Sequence, residues 1–258
     1  KNLEICDLRR LAKEKSMAAR MGICFEVIFS YTYLNFVSFM SSMASRNIEH
    51  MISVIKKHGL IDETVFSAMQ KVPREYFVDS SFLDDAYSDK PIPIGHEQTI
   101  SQPFTVAFML HHLELRKGVS VLEIGAGSGW SSCLLAKLVD PGKVVAFEII
   151  PELVETARGN IKRIRKQTGI LIKNLELHAG DGTNILMDKQ FDRIIIHAAC
   201  PQIKKELFDH LHIRGILIAP VGDQSGQRMM KFVKYPEGVK DCSLGEFSFV
   251  PLKGKYGF

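Results

Sequence analysis

Apolar residues recur in two patterns along this chain, one typical of helices and the other of buried strands. Between residues 47 and 113 they recur every three or four positions, which is the spacing of one helix face. Three helices are predicted there, over residues 47–59, 62–73 and 103–113. Gly59 and Pro73 mark two helix ends, because glycine favours the position after a helix and proline cannot continue one. The stretch 79–99 that follows is polar and contains proline, and no element is assigned to it.

From Lys117 onward, short apolar runs alternate with helical patterns. Strands are predicted over residues 119–124, 143–148, 175–178, 191–197 and 215–219. Helices are predicted over residues 130–138, 151–166 and 202–211. Two alternating segments near the C-terminus, 229–235 and 246–252, are predicted to pair as antiparallel strands. Repeated strand–helix units predict an α/β fold with a Rossmann-like, doubly wound, mostly parallel sheet and antiparallel C-terminal strands. Ligands bind at the carboxyl ends of the parallel strands in such sheets.

Composition and charge narrow the classes of function. Of the 258 residues 46% are hydrophobic, which is enough for a packed core and argues against a disordered chain. The 33 Lys and Arg against 29 Asp and Glu give a net charge of +4, and the basic residues are scattered, so no nucleic-acid partner is expected. The five cysteines form no CxxC pair, and the histidines show no metal-ligand spacing. Neither disulfides nor a metal site is therefore predicted, and a cytoplasmic location is expected.

Residues 1–46 differ from the rest and are predicted to be an N-terminal extension. The run 21–43 is rich in aromatic residues and contains one carboxylate, that of Glu26. A membrane anchor, a signal peptide, a helix packed on the main domain and sequence outside the natural product all remain open for it. Residues 47–258 are predicted to form the main domain, with a helical part that carries a substrate loop (47–116) and a nucleotide-binding core (117–258). No membrane contact is expected for this domain.

A glycine loop follows the first predicted strand of the core. Its sequence GAGSG, from Gly125 to Gly129, lets the backbone turn tightly and approach a ligand. A dinucleotide loop reads GxGxxG and holds a pyrophosphate, whereas Trp130 stands where the last glycine of that pattern would be. Glu123 precedes the loop, and a carboxylate there would repel a diphosphate but could accept hydrogen bonds from an ammonium group. The loop therefore favours S-adenosylmethionine, although a simple strand-to-helix turn has the same pattern.

Two further acids end the next two predicted strands. Glu148 can take both ribose hydroxyls, and Asp181, in the sequence GDG, can accept the proton of an adenine amino group. Each acid alone is more often a turn residue. Three acids at three successive strand ends behind a GxGxG loop predict a class I S-adenosylmethionine-dependent methyltransferase.

The remaining motifs indicate what is methylated. They are PIPIGHEQTISQP at 91–103, VLEIGAGSGW at 121–130, IPEL at 150–153, GDG at 180–182, FDRIII at 191–196, APVG at 219–222 and FVPL at 249–252. Through them the chain resembles the protein-L-isoaspartate O-methyltransferases from about Ile48 to the C-terminus, and the segment around Ser101 is specific to that family. It departs from the family at 197–200, where His197 stands in place of the usual threonine, and residues 1–42 match nothing.

The resemblance implies a protein repair enzyme. It would transfer a methyl group from S-adenosylmethionine to the free carboxylate of an isoaspartyl residue in a damaged protein, and the ester would then cyclise spontaneously to a succinimide. It also implies that Ser101 lies beside the reacting carboxylate as an orienting hydroxyl. The residues expected to contact the cofactor are Gln98, Thr99, Ile100, Glu123, Gly125, Ala126, Gly127, Gly129, Glu148, Ile149, Asp181 and Gly182. Damaged polypeptides are the expected partners of a monomeric enzyme.

Three alternatives remain open from the residues alone. Ser101 could be only the N-cap of the helix that follows it. Cys200, at the end of a predicted strand, could be the covalent nucleophile of a pyrimidine C5 methyltransferase, although the order here is Cys-Pro and no basic stripe supports nucleic acid. The chain could also be a non-catalytic Rossmann-like binding module, against which the cofactor acids and Ser101 both argue.

Overall fold

The computed structural model describes residues 47–184, 189–223, 225–255 and 257. The elements below belong to the compact unit His50–Phe258, except that the first helix begins at residue 47. The sequence interpretations of residues 1–46 lie outside the described residues. Among the helices that are described, none is both long enough and apolar enough to cross a membrane.

The first part of this unit is helical, as predicted, but also contains a small hairpin. Its elements are α1 (helical residues 47–57), α2 (Glu63–Lys71), two 3₁₀ segments (Arg74–Phe77 and Ser80–Asp85), β1 (Ile92–Gly95), β2 (Gln98–Ile100) and α3 (Pro103–His112). Asp62 caps α2, because its side chain accepts from the backbone N–H groups of Thr64 and Val65 at 3.1 Å. No strand is predicted within the polar stretch 79–99, but β1 and β2 pair antiparallel there with Ile92 opposite Ile100. Strands of three and four residues are too short to show a periodic pattern.

The second part is the strand–helix core. Its elements are β3 (Val121–Ile124), α4 (Trp130–Val139), β4 (Val144–Glu148), α5 (Pro151–Thr168), β5 (Leu175–Ala179), β6 (Phe191–Ile196), α6 (Lys205–Asp209), β7 (Leu211–Asp223), β8 (Gly226–Tyr235) and β9 (Gly238–Phe247). They form a seven-stranded sheet in the order β5-β4-β3-β6-β7-β8-β9, parallel through β7 and antiparallel beyond it. The predicted fold class is confirmed. The strand order reverses direction between β3 and β6, which is where such sheets open a ligand cleft.

The C-terminal pairing differs from the prediction. β8 pairs with β9 in a hairpin that turns between Tyr235 and Gly238, so residues 230–235 lie opposite residues 238–243. Of the predicted segment 246–252, residues 246 and 247 pair with β8, but opposite residues 227 and 228. The sequence does not predict the full length of β9, because most of its residues are exposed and neither face carries an apolar stripe. Residues 249–252 instead run beside Ala199, which donates to the carbonyl of Val250 at 2.9 Å and accepts from the N–H of Leu252 at 2.7 Å. We call residues 250–253 the C-terminal strap.

Two other bounds also differ. The helix predicted over 202–211 is only the five-residue α6, and the strand predicted over 215–219 extends to the thirteen residues of β7. The buried faces of β3, β6 and β7 form the centre of the core, where Leu122, Ile194 and Leu217 are fully buried. This rigid centre places the ends of β3 and β6 side by side, with Ile124 opposite Ile196.

Candidate active site

An open cleft of about 800 Å³ lies at the carboxyl ends of the parallel strands. Residues that follow β3, β4, β5 and β6 line one side of it, and residues 98–101 and the C-terminal strap line the other. Ten of the thirteen predicted site residues lie in its lining: Gln98, Thr99, Ile100, Ser101, Gly125, Ala126, Gly127, Glu148, Ile149 and Gly182. Glu123, Gly129 and Asp181 are not among the lining residues. The cleft therefore lies where ligands bind in open sheets of this kind.

The glycine loop is fastened to the end of β4. The N–H groups of Gly125 and Ala126 donate to the carbonyl of Phe147 at 2.8 and 3.1 Å, and the N–H of Gly127 donates to Glu148 Oε2 at 2.8 Å. Three consecutive loop amides are therefore engaged within the protein. A loop that held a diphosphate would present such amides to the ligand, so this arrangement suits a cofactor without phosphate.

Gly129 serves helix packing rather than the cleft. It is the N-cap of α4 with φ of +86°, a left-handed conformation that glycine adopts without strain. A Cβ atom at this position would lie 3.1 Å from the Cβ of Ala157 on α5. The third glycine of this loop thus allows α4 and α5 to approach closely, which is the role of the last glycine in the dinucleotide pattern.

Glu148 is the acid that the structure brings into the cleft. Its carboxylate accepts from the N–H groups of Gly127 at 2.8 Å and Ile150 at 3.0 Å, so both oxygens are held in place. The residue is buried and lines the cleft. An ionised carboxylate oxygen can accept more than one hydrogen bond, so Glu148 retains capacity for ligand hydroxyl groups.

Glu123 is placed differently from the prediction. It is fully buried, and the hydroxyls of Ser131 and Ser132 donate to its two carboxylate oxygens. His197 Nε2 lies 3.1 Å from Glu123 Oε1 and lines the cleft in its place. The structure therefore does not support Glu123 as the direct acceptor for an ammonium group, because β3 directs this side chain under α4. The sequence patterns did not identify His197 as a residue of the cleft.

Asp181 binds the segment that contains Lys255 and is not among the residues that line the cleft. It accepts from the N–H and hydroxyl of Thr183 at 2.9 and 2.6 Å and from the N–H of Lys255 at 2.7 Å. Partial burial alone would raise the pKa of this carboxyl, but the hydrogen bonds from Lys255 and Thr183 lower it overall. Its neighbour Gly182 does line the cleft, and a Cβ atom there would lie 2.8 Å from the Cβ of Phe147.

Ser101 lies in the cleft between β2 and α3. The N-cap position of α3 is Gln102, and the side chain that accepts from the first turn is that of Asp89, which accepts from the N–H of Phe104 at 2.8 Å. The interpretation of Ser101 as only an N-cap was therefore wrong. Within the described residues the Ser101 hydroxyl has no hydrogen-bond partner, whereas its carbonyl accepts from Arg74 Nη2 at 3.1 Å. The hydroxyl therefore remains available to a ligand.

Arg74 was missed by the sequence analysis. It is fully buried, and burial lowers the pKa of its guanidinium to about 10, although Asp89 opposes the shift. No periodic or local signal marks it, because its partners lie 12 to 27 residues away in the sequence. The C-terminal strap was also not expected to pair beside β6, although its sequence is part of the FVPL motif.

Cys200 is buried outside the cleft lining. Its sulfur lies 3.7 Å from the carbonyl of Pro220, and burial raises the pKa of the thiol to about 11. A thiol with this pKa is protonated near neutral pH and is a poor nucleophile. The geometry argues against a covalent step at Cys200.

Sequence comparison places the chain in a known family. Residues 46–257 match the family model described as protein-L-isoaspartate(D-aspartate) O-methyltransferase (PCMT). The chain belongs to this family. A protein-L-isoaspartate O-methyltransferase of Methanoculleus marisnigri is 41% identical over 215 residues, which cover 83% of this chain and 94% of that protein. The protein-L-isoaspartate O-methyltransferase 2 of Archaeoglobus fulgidus is 39% identical over 213 residues, covering 81% and 94%.

Solved structures of the same family share this fold. The crystal structure of a Plasmodium falciparum beta-aspartate methyltransferase (PCMT) in complex with S-adenosyl-L-homocysteine gives a TM-score of 0.70 at 25% identity, over 79% of this chain and 97% of that one. Another protein-L-isoaspartate O-methyltransferase structure gives a TM-score of 0.71 at 27% identity, over 81% and 67%.

Proposed function

We propose that this chain is a protein repair methyltransferase that acts on L-isoaspartyl residues of damaged proteins. It transfers a methyl group from S-adenosylmethionine to the free carboxylate of that residue. Family membership supports this activity, and the observation that carries the assignment to this site is the position of Ser101. Its hydroxyl has no partner among the described residues and lines the same cleft as the glycine loop and Glu148.

The residues of the cleft fit S-adenosylmethionine. We propose that Glu148 binds the ribose hydroxyls, because its carboxylate is held by two backbone N–H groups and borders the cleft. Gly182 and Ile149 would lie against the adenine, and the loop from Gly125 to Gly127 against the methionine end. Gln98, Thr99 and Ile100 would close the cofactor site from the substrate side. The engaged amides of the glycine loop support a cofactor without phosphate over a dinucleotide.

The chemistry requires orientation more than proton transfer. When bound, S-adenosylmethionine supplies a methyl group on a positively charged sulfur. The acceptor carboxylate has a pKa near 4 and is already ionised at neutral pH, so the chain need not supply a general base. Ser101 donates a hydrogen bond to the carboxylate and orients it. Such positioning can contribute roughly 7–11 kcal/mol to lowering a barrier.

During the transfer one carboxylate oxygen forms a bond to the methyl carbon while the bond from that carbon to sulfur breaks. The products are a methyl ester and S-adenosylhomocysteine, and two opposite charges disappear. A pyrimidine C5 methyltransferase would need a reactive thiolate, and the buried Cys200 does not provide one. That alternative is not favoured.

We further propose that residues 47–258 are the catalytic domain and that it acts as a monomer on damaged polypeptides without nucleic acid or membrane. The family match over 46–257 supports the domain limits. Sedimentation of the active protein, with and without an isoaspartyl peptide, would test the monomer.

The function is tested by methyl transfer from labelled S-adenosylmethionine to paired isoaspartyl and aspartyl peptides of one sequence. We expect labelling of the isoaspartyl peptide only. Ser101→Ala should lower turnover by about 100-fold while S-adenosylhomocysteine affinity stays within threefold, because orientation acts chiefly in the transition state.

Cys200→Ser is the matched control and should keep most of the activity per folded molecule, since the sulfur takes no part in the transfer. An inactive Cys200→Ser protein beside a normal Ser101→Ala protein would overturn the carboxylate assignment. Equal labelling of both peptides would overturn the isoaspartyl specificity.

A further inference from the structure

Arg74 connects segments that lie far apart in the sequence. Its two terminal nitrogens, Nη1 and Nη2, donate to five backbone carbonyls, whereas no carboxylate accepts from it among the described residues. The acceptors and distances are Ala86 (2.7 Å), Ser88 (3.4 Å), Lys90 (3.2 Å), Ile100 (3.5 Å) and Ser101 (3.1 Å). We call this set the carbonyl cluster. An arginine is suited to it because its planar fork presents several donors in fixed directions.

The same side chain also touches the cofactor side of the cleft. The guanidinium carbon of Arg74 lies 5.3 Å from the ring centre of Trp130, which is the first residue of α4 and lines the cleft. The indole N–H of Trp130 donates to the carbonyl of Val72 at 3.0 Å, two residues before Arg74. Arg74 is thus packed between the start of α4 and the backbone carbonyls of residues 86–101.

We infer that Arg74 is a positioning residue for methyl transfer, which acts by fixing the Ser101 backbone relative to the glycine loop. Ser101 lies between the three-residue strand β2 and the first turn of α3, where the N–H of Phe104 donates to Asp89 Oδ1 at 2.8 Å. The hydrogen bonds to the carbonyls of Ile100 and Ser101 therefore restrain the segment that carries the hydroxyl. A displacement of about 1 Å in a reacting group can lower a rate about 100-fold. This inference rests on the proposed role of Ser101.

A merely structural role would have a different consequence. A buried arginine that only stabilised the fold would, when changed, lower the folded fraction and leave turnover per folded molecule unaltered. Arg193 provides the matched control, because it is a buried arginine whose guanidinium donates to the carbonyls of Leu113, Asp192 and Glu114. It is not part of the cleft lining.

The experiment is a double-mutant cycle on the full chain. Arg74→Lys keeps a positive charge but replaces the planar guanidinium by an ammonium group. It is made both in the chain with Ser101 and in the chain with Ser101→Ala. Turnover on the isoaspartyl peptide is measured at saturating S-adenosylmethionine and corrected for the folded fraction, and S-adenosylhomocysteine affinity is measured by calorimetry. We expect Arg74→Lys to lower kcat about 10- to 100-fold with Ser101 present and less than threefold with alanine there. Affinity should stay within threefold, and Arg193→Lys should keep its turnover.

Several results would overturn the inference. The first is that Arg74→Lys lowers kcat by the same factor with Ser101 and with Ser101→Ala. The second is that Arg74→Lys leaves kcat unchanged. The third is that Arg193→Lys lowers turnover as much as Arg74→Lys does. If Arg74→Lys does not fold even with saturating cofactor, Trp130→Phe replaces it, since this change removes the hydrogen bond to Val72 and reduces the aromatic surface that contacts Arg74. Its loss of kcat must then also disappear in the Ser101→Ala background, or the inference fails.

An inactive wild-type chain on isoaspartyl peptides would instead refute the proposed function. In that case the Arg74 contact can still be tested by hydrogen exchange of the Ile100 and Ser101 amides. Faster exchange is expected in Arg74→Lys but not in Arg193→Lys, and equal exchange in the two variants would overturn the positioning role as well.

Discussion

The two sides of the cleft are built in contrasting ways. On the cofactor side, residues sit just beyond parallel strands whose neighbours fix them, as when β3 lies between β4 and β6. On the substrate side, Ser101 belongs to an irregular segment that a two-stranded hairpin and one buried arginine hold. The cofactor side therefore inherits its geometry from the sheet, whereas the substrate side depends on a few long-range contacts.

This contrast has a functional meaning. A cofactor common to many methyltransferases suits a site that the sheet itself provides, and the acceptor group is selected by a segment added outside the sheet. Changes on the cofactor side should then appear mainly as altered affinity for the cofactor. Changes on the substrate side should appear mainly as altered turnover. Three substitutions test this division, beginning with the largest expected effect on affinity.

Glu148→Gln should produce the largest loss of affinity on the cofactor side. Hydrogen bonds to a charged group contribute about 1.5–3 kcal/mol, so the dissociation constant of S-adenosylhomocysteine should rise about 10- to 100-fold by calorimetry. Turnover at saturating cofactor should change less than threefold. Glu155→Gln is the control, because Glu155 is an exposed acid on α5 that pairs with Arg158. A fall in kcat without a change in affinity would break the division.

Asp181→Ala should have an intermediate effect. If Asp181 accepts from the adenine, its loss costs about 1–2 kcal/mol of binding, which is roughly a 5- to 30-fold weaker affinity. Asp223→Ala is the control, because Asp223 makes the same kind of turn with the N–H and hydroxyl of Ser225. Affinity equal to that of the control would remove Asp181 from the cofactor site and leave it the role of holding Lys255.

The pH dependence of stability adds an independent measurement on Asp181. Its pKa is lowered in the folded chain, so the ionised form stabilises the fold above the ordinary carboxyl pKa. That contribution is lost as the pH falls through the lowered value. The difference in unfolding free energy between the wild-type chain and Asp181→Ala should therefore shrink in acid. A difference that stays constant would contradict the hydrogen bonds to Lys255 and Thr183.

Glu123→Gln should change cofactor affinity least, by less than threefold. Its carboxylate is buried under α4, where it accepts from Ser131 and Ser132, so its replacement should lower the unfolding free energy by about 1–3 kcal/mol. Denaturant unfolding and calorimetry on the same samples give both quantities. A loss of affinity as large as that of Glu148→Gln would restore the direct contact with the cofactor that the sequence suggested.

The sequence predicts the cofactor side better than the substrate side, for a physical reason. The carboxyl ends of parallel strands meet at one edge, so Gly125, Glu148 and Gly182 could be brought together before any coordinates were known. The contact between Glu123 and His197 could not be predicted, because it depends on β3 lying beside β6. The periodicity of apolar residues does not determine which strands are neighbours in a sheet.

Several features of the substrate side could not be predicted from the sequence. The hairpin of β1 and β2 is too short for a pattern, and the cluster around Arg74 spans up to 27 residues of sequence. The family motif marked Ser101 by its sequence, but only the structure shows that the side chain accepting from the first turn of α3 is that of Asp89. Likewise β9 is exposed on most positions, so it has no apolar alternation from which to predict it.

Trp130 provides a fluorescence signal at the junction between the two sides of the cleft. It is the only tryptophan in the chain, it is buried, and its ring lies against Arg74 while bordering the cleft. The emission of a single indole is free of overlap from other indoles. The protein therefore carries an intrinsic fluorescent reporter where α4 contacts Arg74. The emission of Trp130 can be followed without a label as S-adenosylmethionine or an isoaspartyl peptide is added.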